Sequence, residues 1–215
     1  YKVSIIVTAY NKLEYTKKAI DSIYKNTDFK NGEIELITIN NGSNDETESY
    51  FESLPNTKKI NLKYNILGNE SYKHIIEGKY IIGFSNDVVA TPRWLENLIK
   101  CIESDEKIFW VVPTCNEDGI SNAQGMKIDY ENSLNSIDKI YEFGDKYNFS
   151  NRLLWEERNI LMPFIWLGRS RIFEYFDLVD KSYLQHEFVD DDLSTSLRRL
   201  GLKQILAKDT FMHHF

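Results

Sequence analysis

The residues best equipped for chemistry lie in three stretches: Ser85-Asn86-Asp87, Asp190-Asp191-Asp192 and His213-His214. The apolar run Tyr80-Ile81-Ile82-Gly83-Phe84 drives into the first, and Pro92 then opens an amphipathic helix. In α/β sheets, ligands bind just beyond the carboxyl ends of parallel strands. A lone carboxylate planted there, beside an amide, can hold a divalent cation and a sugar hydroxyl together. Hard cations such as Mg²⁺ take one or two protein carboxylates and fill their other positions with water and phosphate oxygens. The competing reading makes Asn86-Asp87 a helix cap, and the motif alone leaves the two even. The acidic triplet also stands at a helix start, where carboxylates satisfy orphan N–H groups and favour the positive end of the dipole. Adjacent carboxylates raise one another's pKa, which suits a general base. Taken alone, His213-His214 reads as a surface or packed pair.

The elements that must position these residues follow from hydrophobic spacing. Val3–Thr8 and Ile34–Ile39 are short, β-branched apolar runs and read as buried strands. Helices are expected over Leu13–Asn26, Glu46–Ser53 and Arg93–Glu103, with a weaker one over Ser71–Gly78. Further strands are expected near Leu62–Ile66, at Tyr80–Phe84 and at Ile108–Val112. Strands alternating with helices imply βαβ units: an α/β, Rossmann-like, mostly parallel sheet with helices on both faces. After Pro113 the pattern becomes polar and then aromatic, with one or two helices expected within Ile128–Asn159. Strand-like Pro163–Leu167, a helix over Ser170–Phe176, a helix from Val189 to Leu200 and a last strand Lys203–Ala207 complete the reading. Gly201 is a plausible C-cap. The chain is expected to be one domain, 1–215, with a nucleotide-binding half 1–112 and an acceptor-binding half 113–215.

The chain is 215 residues long, enough for one domain with a substantial core. Lys and Arg number 26 against 33 Asp and Glu, a net charge of −7, which argues against a dedicated nucleic-acid binder. Two cysteines, Cys101 and Cys115, form neither a disulfide framework nor a metal-ligand spacing, and suggest reduced thiols in a cytoplasmic protein. No apolar run approaches the roughly 20 residues of a membrane-spanning helix, and no signal peptide is evident. The chain opens inside a strand on Tyr1 and stops at Phe215, so it is expected to come from a longer protein. Membrane association, at the inner face, is expected only through segments outside it.

Four stretches line up in order: Val7-Thr8-Ala9-Tyr10-Asn11, Asn40-Asn41-Gly42-Ser43-Asn44-Asp45-Glu46-Thr47, Ser85-Asn86-Asp87, and Val189-Asp190-Asp191-Asp192-Leu193 with Arg198-Arg199-Leu200-Gly201. This ordered set resembles the family 2 glycosyltransferases of the GT-A fold over nearly the whole chain. The resemblance implies that Thr8-Ala9-Tyr10 contacts nucleotide base and ribose through backbone groups. It puts Asn40 where the family has a base-holding Asp, and Asn86-Asp87 on the family's Asp-x-Asp motif. Asp87 then meets ribose and metal. Counting back from Arg198-Arg199-Leu200-Gly201, Asp190 matches the catalytic base, with Asp191 as alternative base or acceptor contact, and Val189 stands in place of a Glu. His213 or His214 completes the metal site. Trp166 and Arg169 flank Gly168 at the acceptor floor, with Arg169 free to pair with phosphate or the acidic cluster. His186 lies near enough to the acidic cluster to touch acceptor.

The activity implied is inverting transfer of a sugar from a nucleotide-diphosphate sugar to an acceptor hydroxyl, with Mn²⁺ or Mg²⁺ as cofactor. The acceptor would be a saccharide or lipid-linked saccharide, as in surface polysaccharide synthesis. A sugar-phosphate nucleotidyltransferase is the first alternative, but that class carries a Gly-rich phosphate loop after the first strand, and Ala9-Tyr10-Asn11-Lys12 has no glycine. A non-catalytic nucleotide- or sugar-binding domain is the second; Asn40 and Asn86 favour it, whereas Asp87, Asp190 and the terminal histidines oppose it.

Overall fold

Seven apolar or small residues, Val3–Ala9, form strand β1, whose Ile5 and Val7 are completely buried. The computed structural model describes residues 2–67, 70–117, 124–150, 153–180, 182–183 and 188–215. Helix α1 (Leu13–Asn26) packs Ala19, Ile20 and Ile23 inward at helical spacing. Strand β2 (Ile34–Asn41) pairs parallel with β1, helix α2 (Thr47–Ser53) follows, and β3 (Thr57–Leu62) pairs parallel with β2. Strand β4 (Tyr80–Ser85) lies parallel to β1 on its other side. The two-residue strand β5 (Val88–Val89) and helix α3 (Trp94–Glu103) lead to β6 (Ile108–Asn116).

The second half adds short β7 (Gly125–Met126), helix α4 (Ile137–Ser150), β8 (Trp155–Glu157), β9 (Ile165–Arg169), helix α5 (Val189–Arg199), β10 (Lys203–Phe211) and β11 (His213–His214). Among the described residues the main sheet runs β3-β2-β1-β4-β9-β6-β10-β8, with β7 added to β6. β9 is antiparallel to both β4 and β6, so it stitches the two halves into one sheet. The expected mostly parallel α/β architecture is the one observed.

Several boundaries differ, each for a physical reason. The third strand is Thr57–Leu62 rather than Leu62–Ile66. It is an edge strand, half-exposed, and tolerates lysines that an apolar-run criterion passes over. Lys58 there reaches buried Glu35, at 2.6 Å, and Glu77. The expected helix over Ser71–Gly78 is a single 3-10 turn, Ser71–His74, and that over Ser170–Phe176 is another, Ser170–Glu174. β6 continues through Pro113 to Asn116, because the register with β10 shifts just after Pro113 and its missing N–H falls at that irregularity.

Two sheet positions shape what lies above them. Gly83 faces Trp166 directly across the β4–β9 pair, and a Cβ there would overlap the indole. Trp166 stacks on Trp110 with ring centroids 4.1 Å apart and planes 16° from parallel. Gly83 is therefore the slot that lets an indole lie flat on the sheet. Gly83→Ala should overpack this slot and destabilise the fold by about 1–3 kcal/mol in urea unfolding. Adding Trp166→Ala should recover part of that loss; strictly additive losses would show that the indole is not what the methyl meets.

Candidate active site

At the carboxyl ends of β1 and β4 an open cavity of about 520 Å³ is lined by Thr8, Ser85, Asn86, Asp87, Asp190 and His214, among others. Trp110 and Trp166 contribute its aromatic wall, and Asn41, Asn65 and Ile66 another side. Asp87, Asp190, Thr8, Asn86, Trp166 and His214 are thus brought together from residues far apart in sequence.

Turns at the sheet edge hold one another in place. In the turn after β1, Asn11 and Lys12 both have left-handed backbones, with φ of 58° and 57°. Such a pair costs energy and needs outside support. Asn11 N–H donates to Ser43 Oγ, and Asn11 Oδ1 accepts Asn44 N–H. Asn86 Nδ2 donates to the Asn11 carbonyl and to Thr16 Oγ1. Asp45 accepts the N–H of Leu13, capping α1 from the neighbouring turn. The turns after β1, β2 and β4 are therefore one cross-linked unit, and the Asn86 amide is part of its fastening.

Asp87 and His214 form the polar centre. His214 Nε2 lies 3.4 Å from Asp87 Oδ1. Burial alone would raise the Asp87 carboxyl, but the hydrogen bond and charge of His214, with a smaller contribution from Lys12, hold it below the usual carboxylate range. His214 is fixed on three sides. Its N–H donates to Asn116 Oδ1, its carbonyl accepts from Asn116 Nδ2, and its ring stacks on Phe164. Phe215 N–H closes the arrangement by donating to the Asp87 carbonyl. Phe164, Asn116 and Lys12 carry no motif by which the sequence alone marks them.

The pair offers one carboxylate oxygen and one imidazole nitrogen, and among the described residues no third His, Cys, Asp or Glu joins them in a metal-binding group. This donor set fits Mn²⁺ or Mg²⁺ bound chiefly through diphosphate and water, since such ions need few protein ligands. His213 does not share this role. It is fully buried, with Nδ1 at 3.0 Å from the Tyr130 hydroxyl and Nε2 at 3.0 Å from Asn132 Oδ1. Burial, with the adjacent His214, pushes its pKa down to about 4. Successive residues of a strand point to opposite faces, so only one of the two histidines can face Asp87.

Asp190 sits in the first turn of α5, on the cavity wall. Burial, reinforced by the charge of Asp191, pushes its carboxyl up to about 6. Asp191 and Asp192 are exposed and do not line the cavity.

Other expected site residues lie elsewhere. Arg169 is not free: its guanidinium is buried and donates to the carbonyls of Ile108, Ile102 and Asp105, tying β9 to the α3–β6 turn. Asn40 is buried, and its Oδ1 accepts Ser43 N–H within the turn. Asn41 is the residue of that pair that lines the cavity, bonded to Asn65 Oδ1 and to the backbone of Ile66. Ala9 is buried and Tyr10 exposed, and Thr8 alone of that trio lines the cavity. His186 lies outside the described residues.

The sheet order, the antiparallel stitch of β9 and the cavity at the strand ends define a GT-A type glycosyltransferase fold. The model of the family "Glycosyl transferase family 2" matches residues 4–176, so the chain belongs to that family. An uncharacterized glycosyltransferase of Haemophilus influenzae is 36% identical over 114 residues, 49% of this chain and 34% of that protein. One of Rickettsia prowazekii is 38% identical over 104 residues, 46% of this chain and 31% of that protein. The matched segment thus spans about a third of these curated relatives. Among solved structures, S. aureus TarS 1-349 in complex with UDP-GlcNAc superposes with a TM-score of 0.66 at 18% identity, over 99% of this chain and 58% of that one. GalNAc-T7 with UDP, GalNAc and Mn²⁺ gives 0.71 at 12% identity, over 99% of this chain and 43% of that one. At such identities the likeness is one of fold.

The raised pKa of Asp190 has a measurable consequence for stability. Its folded value of about 6 exceeds the ordinary 3.8, so the fold favours the neutral acid. That stabilisation is complete below 3.8 and is lost as pH rises through about 6. Asp190→Asn cannot ionise, so its melting temperature relative to wild type should climb across this window and level off above it. After allowance for partial exposure, the gain should be on the order of 1 kcal/mol. A difference independent of pH would mean that the carboxyl is not buried in the cavity wall.

Proposed function

We propose that this chain is the donor-binding and catalytic core of an inverting, metal-dependent glycosyltransferase that moves a sugar from a nucleotide diphosphate to an acceptor hydroxyl. The observation that carries this reading is one cavity walled by two carboxylates of opposite tuning, Asp87 lowered beside His214 and Asp190 raised to about 6. Pairs of carboxylates pushed apart in this way mark separate roles. TarS, solved with UDP-GlcNAc, and GalNAc-T7, solved with UDP, GalNAc and Mn²⁺, support a nucleotide-sugar donor.

Asp87 and His214 would hold a divalent cation against the diphosphate; when bound, it supplies Lewis-acid stabilisation of the leaving group's charge. Asp190 takes the proton of the acceptor hydroxyl as that oxygen bonds to the anomeric carbon. The bond from that carbon to the phosphate oxygen breaks, and its electron pair leaves with the nucleoside diphosphate. A single displacement with one base and no covalent intermediate inverts the anomeric centre. A base of pKa near 6 is ionised at neutral pH yet still basic enough for proton transfer, which contributes about 10²–10⁴-fold. Asn41 and Asn65, bonded to each other, form the side of the cavity against which a base would lie, and Trp166 forms a wall against which a sugar ring can lie. The acceptor in this reading is a saccharide or lipid-linked saccharide of surface polysaccharide synthesis, handled on the cytoplasmic side. No helix among the described residues is long and apolar enough to cross a membrane.

Calorimetry of UDP with and without Mn²⁺ tests the donor half. Asp87→Ala should abolish the metal-dependent tightening while leaving the fold intact; unaltered tightening removes the assignment. With a working acceptor, Asp190→Asn should lower transfer at least about a hundredfold and keep donor affinity within about threefold. If Asp191→Asn does so instead, the exposed neighbour is the base.

A further inference from the structure

A second cavity, of about 530 Å³, is lined by Tyr130, whose hydroxyl meets His213 of β11. Five residues of α4 line it: Lys139, Glu142, Phe143, Lys146 and Tyr147. Their spacing places them on one helix face. Tyr130 and Met126 complete an aromatic and thioether floor, and Lys127 and Asp129 stand with the helix charges. Phe143 and Tyr147 lie 9° from parallel with centroids 6.1 Å apart, and Tyr130 meets Phe143 edge-on at 5.6 Å. Both tyrosine hydroxyls are anchored, Tyr147 to the Lys208 carbonyl at 2.6 Å and Tyr130 to His213. The rings are half-buried and held, whereas the five charged residues are exposed.

We propose that this cavity is a saccharide-binding subsite that holds acceptor sugar units away from the reaction centre. A pyranose offers apolar C–H faces to aromatic rings and a rim of hydroxyls that both donate and accept. The cavity offers the complement: an aromatic floor, three ammonium donors and two carboxylate acceptors. None of these five charged groups is taken up in an ion pair among the described residues. The mixture of signs decides the ligand class. A phosphate would face Asp129 and Glu142, and a cation would face three lysines. A neutral polyol uses both kinds of group. Pockets of this size with an aromatic lining and few convergent polar groups are typical of small-ligand sites.

The position links the subsite to the first cavity. β11 turns His214 toward Asp87 and His213 toward Tyr130, so the floor of one cavity is hydrogen-bonded to the neighbour of a polar group in the other. The acceptor role rests on the glycosyltransferase reading; saccharide binding itself does not, and it can be measured separately.

Saturation-transfer NMR on this chain, saturated with UDP and diamagnetic Mg²⁺, would use N-acetylglucosamine, galactose, chitobiose and lactose at millimolar concentration as probes. Transfer should reach the protons of at least one saccharide. The double variant Glu142→Ala/Lys146→Ala changes only exposed side chains and should keep the melting temperature and UDP affinity. It should weaken saccharide binding about tenfold or more. No transfer to any probe overturns the proposal, as do equal signals from the double variant or displacement of the saccharide by inorganic phosphate. Failure of UDP to bind, with saccharide transfer preserved, would overturn the donor assignment and leave this subsite standing.

Discussion

The site depends on the return of β11 to Asp87. Two residues of β11 pair antiparallel with two of β5, His213 opposite Val89 and His214 opposite Val88, and Phe215 donates to the Asp87 carbonyl. A two-residue ladder is too short to hold by itself. Asn116, at the end of β6, supplies both missing partners of the His214 backbone, and Phe164 flanks its ring. The carboxylate of one sheet turn and the imidazole of β11 therefore meet through the joint placement of β6, β10 and β11.

That meeting sets the electrostatics. Two carboxylates in one cavity repel, and each loses hydration on burial. Asp87 recovers the cost through His214 and ionises below the usual carboxylate range; Asp190, with only the like charge of Asp191 beside it, ionises only as pH rises through about 6. The difference between them comes from their neighbours, since both are aspartates at the start of turns or helices. The fold carries the burden of Asp190 at neutral pH, which is the kind of local instability that stability alone would not retain.

Support for the site is distributed rather than concentrated. Asn11 and Lys12 take left-handed backbones that bulky residues rarely adopt, and the turn after β2 holds them through Ser43, Asn44 and Asp45. Asn86 locks the third turn to the first. Arg169, buried among carbonyls, fixes β9, and β9 carries Trp166 onto the floor above Gly83. Polar residues that look free in sequence are thus mostly consumed in building the cavity, leaving a few to face into it.

From its sequence alone the chain shows its alternating β-branched runs and amphipathic helices, because burial on both faces of a parallel sheet leaves a local hydrophobic period. It also shows the ordered polar turns, because strand ends are where such turns must fall. Edge strand β3 and the passage of β6 through Pro113 were not legible, since pairing with neighbours rather than local composition makes them strands. Nor could sequence separate His213 from His214, Asn40 from Asn41, or Asp190 from Asp191. Each pair is chemically alike and adjacent, and only the pleat of a strand or the turn of a helix decides which member faces the cavity. Arg169 is the plainest case: its charge suggested a phosphate partner, and the three backbone carbonyls that claim it come from residues about sixty positions away.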